Sequence, residues 1–305
     1  MNTIPGYVDL QVNGHCGVDF SSSQLTGDEV VRVTEQLLAA GTVTFLPTLI
    51  TSPPERYCRN VALIRDAVEK AGLRQHVPGV HLEGPFLSSL PGAVGCHNPA
   101  FIQQPSSAAL DRILGESGDY VRLLTVAADQ PGAEGLIRHA RGKGIAVSVG
   151  HHLADAAQIG DAAAAGAVAL THLGNGLPNQ LDRHCNPIWA GLGEDRLTAM
   201  IITDGHHLPP ELIRVIIRCK GAAKIIVVSD ASPITGFPPG RYHTLGNDAT
   251  LEPNGKFHNP AKKCLVGSAS TMKQCMDYLA SLEILSGEEL NMVGYENPLK
   301  LIGLR

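Results

Sequence analysis

Eight short apolar runs, set apart by amphipathic or Gly- and Pro-rich segments, constrain this chain more than any other feature of it. They are YVDLQVN (7–13), TVTFLPTLI (42–50), VPGVHLE (77–83), YVRLLTVA (120–127), GIAVSVGH (144–151), AVALTHL (167–173), TAMIITD (198–204) and KIIVVSD (224–230). Most are nearly continuous in aliphatic residues rather than alternating, as strands buried on both faces of a parallel sheet are. Helical patterns fill most of the gaps. GDEVVRVTEQLLAAG (27–41) has acids in its first turn and a closing Gly, and PPERYCRNVALIRDAVEKAG (53–72) opens on prolines where a helix tolerates them. Segments 132–143, 154–165 and 209–220 repeat the helical spacing, and two helices close the chain. Eight strand–helix alternations predict an α/β fold, a (β/α)8 TIM-type barrel in preference to an open doubly wound sheet.

The chain has 305 residues, 44% of them hydrophobic and 17% charged, enough for one large core, so a single catalytic barrel over 1–305 is expected. Segment 236–263, GFPPGRYHTLGNDATLEPNGKFHNPAKK, breaks the rhythm and reads as an inserted excursion with a short hairpin, a lid near the active face. A net charge of −5 without basic blocks argues against nucleic acid as a partner. No apolar run approaches the roughly 18 residues of a membrane span. The N-terminus lacks a basic start and an apolar signal core. Seven cysteines, odd in number and without a C-x-x-C pair, point to reduced thiols, mostly buried, in a cytoplasmic protein.

In such barrels the chemistry sits at the C-terminal ends of the strands. The unusual polar residues of this chain gather there: Gln11 and Asn13 on strand 1, Glu83 on strand 3, His151 on strand 5, His172 on strand 6, Asp204 on strand 7 and Asp230 on strand 8, with His206 and His207 just beyond strand 7. A carboxylate in the apolar stretch GVHLEGPF is costly to bury unless it is paired or holds a metal. A lone strand-end histidine is usually structural, but barrel closure aims Glu83, His151 and His172 at one axis. One carboxylate and two imidazoles that leave a position open form the usual catalytic Zn²⁺ site. Asp230, on the last strand, is then free to act as the base on water.

The motifs PGYVDLQVNG, GVHLEGPF, VSVGHH, THLGNGLPN, TDGHHL, VSDASP and LVGSASTM follow one another in an order that resembles the N-acetylglucosamine-6-phosphate deacetylase family of the amidohydrolase superfamily. The resemblance runs from about residue 5 to the C-terminus. It implies metal-assisted hydrolysis of the N-acetyl group of N-acetylglucosamine 6-phosphate. Glu83, His151 and His172 match the family's metal ligands, and Asp230 its proton-transferring aspartate. His97 in GCHNP matches a histidine that polarises the substrate carbonyl. Asn175 and Gly176 match a loop whose amides approach the sugar phosphate, and Arg183 and His207 match the phosphate- and sugar-binding pair. The arginine loop serves a neighbouring subunit in the family, which implies a homodimer. Where many amidohydrolases carry H-x-H on strand 1, this chain has Gln11 and Asn13, poor ligands for a transition metal. One divalent ion per chain is therefore expected, Zn²⁺ first, with Fe²⁺, Co²⁺, Ni²⁺ and Mn²⁺ as alternatives.

Two departures qualify the resemblance. The small β-sandwich of the family is expected to be largely missing. The loop THLGNGLPNQLDRHCNP has Gly174 where a bulkier residue is common and sets His184 and Cys185 beside Arg183. Packing is favoured over a soft metal site for Cys16, Cys96 and Cys185. Other functions carried forward are an amidohydrolase for another N-acyl amino sugar or small N-acyl compound, and a non-catalytic sugar-phosphate sensor.

Overall fold

A computed structural model describes residues 6–305. Pro5, which opens the first motif, and the N-terminal bound of the expected 1–305 unit lie outside the described residues. Eight parallel strands form one sheet in sequence order: β1 (Tyr7–Val12), β2 (Thr42–Ile50), β3 (Val80–Glu83), β4 (Val121–Val126), β5 (Ala146–Val149), β6 (Ala169–Leu170), β7 (Thr198–Ile202) and β8 (Ile225–Val228). All eight coincide with the apolar runs. The sheet curls into a nearly closed barrel. Closure is made by a Val12–Ala231 bridge, by Asn13 N–H donating to Ala231 O at 2.8 Å, and by a buried carboxylate. Asp9 on β1 accepts from the Ser229 N–H at 3.1 Å and also from the Ser229 hydroxyl, tying the first strand to the last.

The local reasons for the helices are those read from sequence. Thr26 and Glu29 form a reciprocal capping box at Gly27–Ala39, as do Asp155 and Gln158 at Ala156–Ala165. Prolines open Pro54–Lys70 and Pro210–Lys220. Two short helices, Ser107–Leu114 and Pro187–Gly193, escape the sequence patterns because two turns are too few to display a helical period.

Period-two alternation along the strands divides the barrel interior into layers. Leu10, Leu46, Leu123 and Ile226 fill an apolar plug at the bottom, against Ile302 near the C-terminus. Two residues further along two of these strands stand Thr48 and Thr125, with His81 and Thr171 beside them, joined by hydrogen bonds of 2.8–3.4 Å. The mouth lies above this polar layer.

The excursion is larger than a hairpin. Gly240–Thr244 (β9), Asn247–Leu251 (β10), Phe257–Asn259 (β11) and Cys264–Leu265 (β12) make a four-stranded antiparallel sheet. Leu245, Ala249, Phe257 and Val266 pack with Ile50 and Ile234 in a cluster of their own, which anchors the sheet over the mouth. Sequence reasoning undercounted it because two of the strands are only two or three residues long. The expected burial of most cysteines is also corrected: Cys275 is buried, Cys185 and Cys219 are exposed, and the other four are half-buried. Their loops and outer helix faces leave thiols at the surface. No helix among the described residues is long and apolar enough to cross a membrane.

Candidate active site

His151, His172 and Asp230 share an unusual backbone. Each stands two residues beyond the end of its strand, and each has a positive φ, 53°, 30° and 52° respectively. Left-handed backbone at a residue with a side chain costs about 1–2 kcal/mol. Strain of this kind persists where surrounding structure enforces it, and it clusters at functional sites. Here it turns two imidazoles and a carboxylate inward over the barrel axis.

The imidazoles converge on Glu83, the last residue of β3. His172 Nε2 lies 2.9 Å from Glu83 Oε1 and 3.0 Å from His151 Nε2, and His151 Nε2 lies 3.3 Å from the same carboxylate oxygen. His97 joins from the 93–97 loop, its Nε2 3.3 Å from His151 Nε2 and 3.9 Å from Glu83 Oε2. Ligand-type atoms of Glu83, His97 and His151 fall within 4.8 Å of one another. Geometry alone thus offers three histidines for two ligand positions.

Their outer nitrogens separate them. His151 Nδ1 is 2.7 Å from the Ala93 carbonyl, which only accepts, so the proton is on Nδ1 and the Nε2 lone pair is free. His97 Nδ1 accepts a long bond from the Thr51 N–H at 3.5 Å, which leaves the proton on Nε2. His97 is therefore a donor toward the centre, while His151 is suited to a cation. His172 Nδ1 is buried without a partner among the described residues, and its Nε2 faces Glu83. With the His172 proton on Nδ1, its Nε2 lone pair and that of His151, 3.0 Å apart, would both be directed at one cation. Donors about 2.0–2.1 Å from one tetrahedral ion stand about 3.3 Å from each other, close to these separations. The donor set of Glu83, His151 and His172 fits one divalent ion.

Charge at the centre is strongly perturbed. Burial would raise the Glu83 carboxyl, but the His151 and His172 rings beside it hold it well below the ordinary range. Asp230 is pushed up to about 7, by burial first and then by the nearby Glu83 charge. Burial and then the neighbouring His151 bring His97 down to about 3, so it stays neutral. Asp230 Oδ1 receives two amide donors, Gln11 Nε2 at 3.0 Å and Asn13 Nδ2 at 2.7 Å, and Gln11 Nε2 also lies 2.8 Å from Glu83 Oε1. The strand-1 amides thus orient the carboxylates.

The other sequence-nominated residues divide. Asn175 and Gly176 line the same cavity, of about 1080 Å³, as Glu83, His97 and Asp230. Gly176 has φ 63°, and a Cβ there would stand 2.8 Å from His151 Nδ1, so only glycine lets this loop lie against the ring. His207 also lines the cavity, its Nδ1 2.8 Å from Asp204 Oδ2. Arg183 does not line it; the residue is exposed, and its carbonyl accepts from Trp189 Nε1 at 3.0 Å. His184 and Cys185 are exposed beside it, their N–H groups turned onto Asp182 Oδ1, and the only metal-type group among the described residues is at Glu83. Sequence reasoning missed Thr51, Asp204's pairing role and three lysines of the excursion; only the lysines left a signal, as charges within KFHNPAKK.

A parallel eight-stranded barrel carrying Glu, two His and a facing Asp at its C-terminal mouth is the arrangement of a metal-dependent amidohydrolase. No protein-family model matches the chain. It is 35% identical over 312 residues to the N-acetylglucosamine-6-phosphate deacetylase of Homo sapiens, spanning 98% of this chain and 74% of that protein. It is 27% identical over 300 residues to the N-acetylgalactosamine-6-phosphate deacetylase of Escherichia coli O157:H7, spanning 98% and 78%. The structure of a mutant N-acetyl-D-glucosamine-6-phosphate deacetylase from Mycobacterium smegmatis, in complex with N-acetyl-D-glucosamine-6-phosphate, aligns with a TM-score of 0.89 at 30% identity, covering 99% of this chain and 78% of that one. The chain belongs to the N-acetylglucosamine-6-phosphate deacetylase family.

Proposed function

We propose that this protein hydrolyses the N-acetyl group of N-acetylglucosamine 6-phosphate, giving glucosamine 6-phosphate and acetate. The observation that carries the reading is the convergence of Glu83, His151 and His172 opposite Asp230, in a chain of this family. Glu83, His151 and His172 would hold one divalent ion, Zn²⁺ by donor preference. When bound, such an ion supplies Lewis acidity, lowering the pKa of water and polarising a carbonyl.

The chain's own groups supply the rest. Asp230 takes a proton from the attacking water and returns it to the departing amine as the C–N bond breaks. Its Oδ1 is occupied by Gln11 and Asn13, so Oδ2 is the oxygen that carries the proton. A pKa near 7 suits both directions of that transfer. His97, neutral with Nε2–H inward, donates to the acetyl oxygen as negative charge develops on it. His207 and the amides of Asn175 and Gly176 face the sugar phosphate. Arg183, exposed and outside its own cavity, reaches the site of a second copy in a homodimer. Residues 1–305 act as one catalytic barrel, with the 236–263 excursion serving its mouth, in the cytoplasm.

The test is acetate release by the Zn²⁺-reconstituted protein from N-acetylglucosamine 6-phosphate, its galactosamine epimer and N-acetylglucosamine. N-acetylglucosamine 6-phosphate is expected to be the best substrate, and Asp230→Asn to lower kcat by about 10²–10⁴-fold with KM little changed. Full hydrolysis by Asp230→Asn would remove the proposed base. Preference for the epimer would move the reading to the E. coli relative's substrate.

A further inference from the structure

Below the centre formed by Glu83, His151 and His172, five polar side chains from five neighbouring strands meet inside the barrel. They are Thr48 on β2, His81 on β3, Thr125 on β4, Ser148 on β5 and Thr171 just past β6, and all are buried. Their protons run one way. Thr171 Oγ1 donates to Ser148 Oγ at 2.7 Å, and a hydroxyl has one proton, so Thr171 accepts from Thr125 Oγ1 at 2.9 Å. Thr125 has then given its own proton and accepts from His81 Nε2 at 2.8 Å. On the far side of the ring, Thr48 Oγ1 stands 3.4 Å from His81 Nδ1 and accepts the Val12 N–H at 3.0 Å. None of the five lines the active-site cavity, so none meets substrate. Yet the network passes directly under each metal-type ligand. His81 lies two residues before Glu83 on the same face of β3, and Glu83 is paired in register with Thr125. Thr171 immediately precedes His172, and β6 is only two residues long, which leaves few ladder bonds to set where His172 begins. Gly150, which precedes His151, packs so closely that a Cβ on it would stand 2.7 Å from Thr171 Cβ and 3.0 Å from Thr125 Cγ2. The left-handed backbones of His151 and His172 therefore start from residues that this network holds.

We propose that Thr125 and Thr171, hydrogen-bonded to His81 and Ser148, are positioning residues that set the spacing of Glu83, His151 and His172, and with it the affinity and geometry of the metal centre. The inference rests on the assignment of those three side chains as metal ligands and adds the support beneath them. A donor set binds one ion tightly only when it is held at the right separations, and groups outside the ligand shell do the holding. β4 carries no ligand but lies between β3 and β5, and from there Thr125 joins His81 to Thr171. An aliphatic side chain would fill the place of each threonine without needing a partner, as the apolar layer below does. Hydroxyl groups in that place add direction, fixing one strand against the next at hydrogen-bond distance. Strained backbone persists only where its surroundings over-determine it, and this network supplies that constraint at both histidines.

The experiment measures the Zn²⁺ affinity of the full chain by competition with a chromophoric chelator, the visible spectrum of the Co²⁺-substituted protein, and urea unfolding of the metal-free protein. The proteins are the wild type, Thr125→Val, Thr125→Ser, Ser148→Ala and Thr34→Val. Thr34 is a buried control in the first helix, where its hydroxyl donates to the Val30 carbonyl at 2.8 Å. Thr125→Val keeps the side chain's shape and removes its hydroxyl. It is expected to weaken Zn²⁺ binding by about 10–100-fold and to shift the Co²⁺ bands, whereas Thr125→Ser keeps both near the wild type. Thr34→Val is expected to lower stability and leave metal binding unchanged. Ser148→Ala cuts the network at its end with less disturbance and is expected to weaken binding by at least about threefold. Zn²⁺ affinity within about twofold of the wild type in Thr125→Val, or in Ser148→Ala where Thr125→Val does not fold, overturns the inference and leaves the deacetylase reading in place. An equal loss of affinity in Thr34→Val would make the effect one of general destabilisation and overturns it as well. A wild type that binds no divalent ion overturns the metal assignment, and this inference with it.

Discussion

Asp204 and His207 form a pair whose effect on stability can be worked out from the structure and switched by pH. Their side chains are 2% and 4% exposed, and His207 Nδ1 lies 2.8 Å from Asp204 Oδ2. Asp204 Oδ1 accepts the N–H groups of His206 and His207 at 2.9 Å each. Burial pushes both groups toward neutrality, but their mutual attraction wins: Asp204 is held far below 3.8 and His207 is raised above 6.5. A raised histidine contributes stability that is complete below its unfolded value, about 6.5, and is lost as pH rises through its folded value. A depressed aspartate contributes stability present above about 3.8 and lost as pH falls toward its folded value. The pair is therefore worth most between about pH 4 and 6.5. In Asp204→Asn the amide oxygen still accepts both backbone N–H groups, so one charge-assisted bond is lost, about 1.5–3 kcal/mol. Loss of the His207 proton caps the damage below the roughly 3–5 kcal/mol of a broken buried pair. Urea unfolding of wild type and Asp204→Asn should differ by about 2 kcal/mol at pH 6 and by less than about 1 kcal/mol at pH 9. KM for the phosphorylated sugar should rise with pH in the wild type and change less in the variant. An equal stability difference at both pH values would refute the ion-pair account.

Two further substitutions test the centre and the closure of the barrel. Glu83→Gln should lose its metal, read by elemental analysis, with circular dichroism unchanged. His97→Gln should keep the metal and lose about 10²–10³ in kcat; metal loss there would make His97 a ligand rather than a donor. Asp9→Ala removes the carboxylate that accepts from the Ser229 N–H and hydroxyl and from the Gln11 N–H, and should destabilise the fold by about 2–4 kcal/mol in chemical denaturation. A loss under about 1 kcal/mol would mean that the Val12–Ala231 bridge suffices for closure.

The strands were legible because their signal is local. A continuous Val/Ile/Leu run declares a strand buried on both faces, and Glu83, His151, His172 and Asp230 are conspicuous as polar residues at the ends of such runs. Strand position and motif already set His151 and His172 apart from His97, but the physical reason for that division was not legible. It depends on what each Nδ1 touches, and Ala93 and Thr51 lie 58 and 46 residues from His151 and His97. The same holds for Gln11 and Asn13: as isolated amides they only argued against a second metal, whereas folded they aim three donors at Asp230 and Glu83, 217 to 219 and 72 residues away. Arg183 shows the converse, for a residue nominated by motif lies outside the cavity of its own chain.

Composition and periodicity act over a few neighbours along the chain. They suffice for eight strands and most of the long helices, while the family was carried by the resemblance of motifs in order along the chain. Proton positions, carboxylate orientation and the lysines facing the mouth arise from groups that meet only when the barrel closes and the excursion sheet packs against it. Burial then strengthens each of those encounters beyond anything the unfolded chain could register.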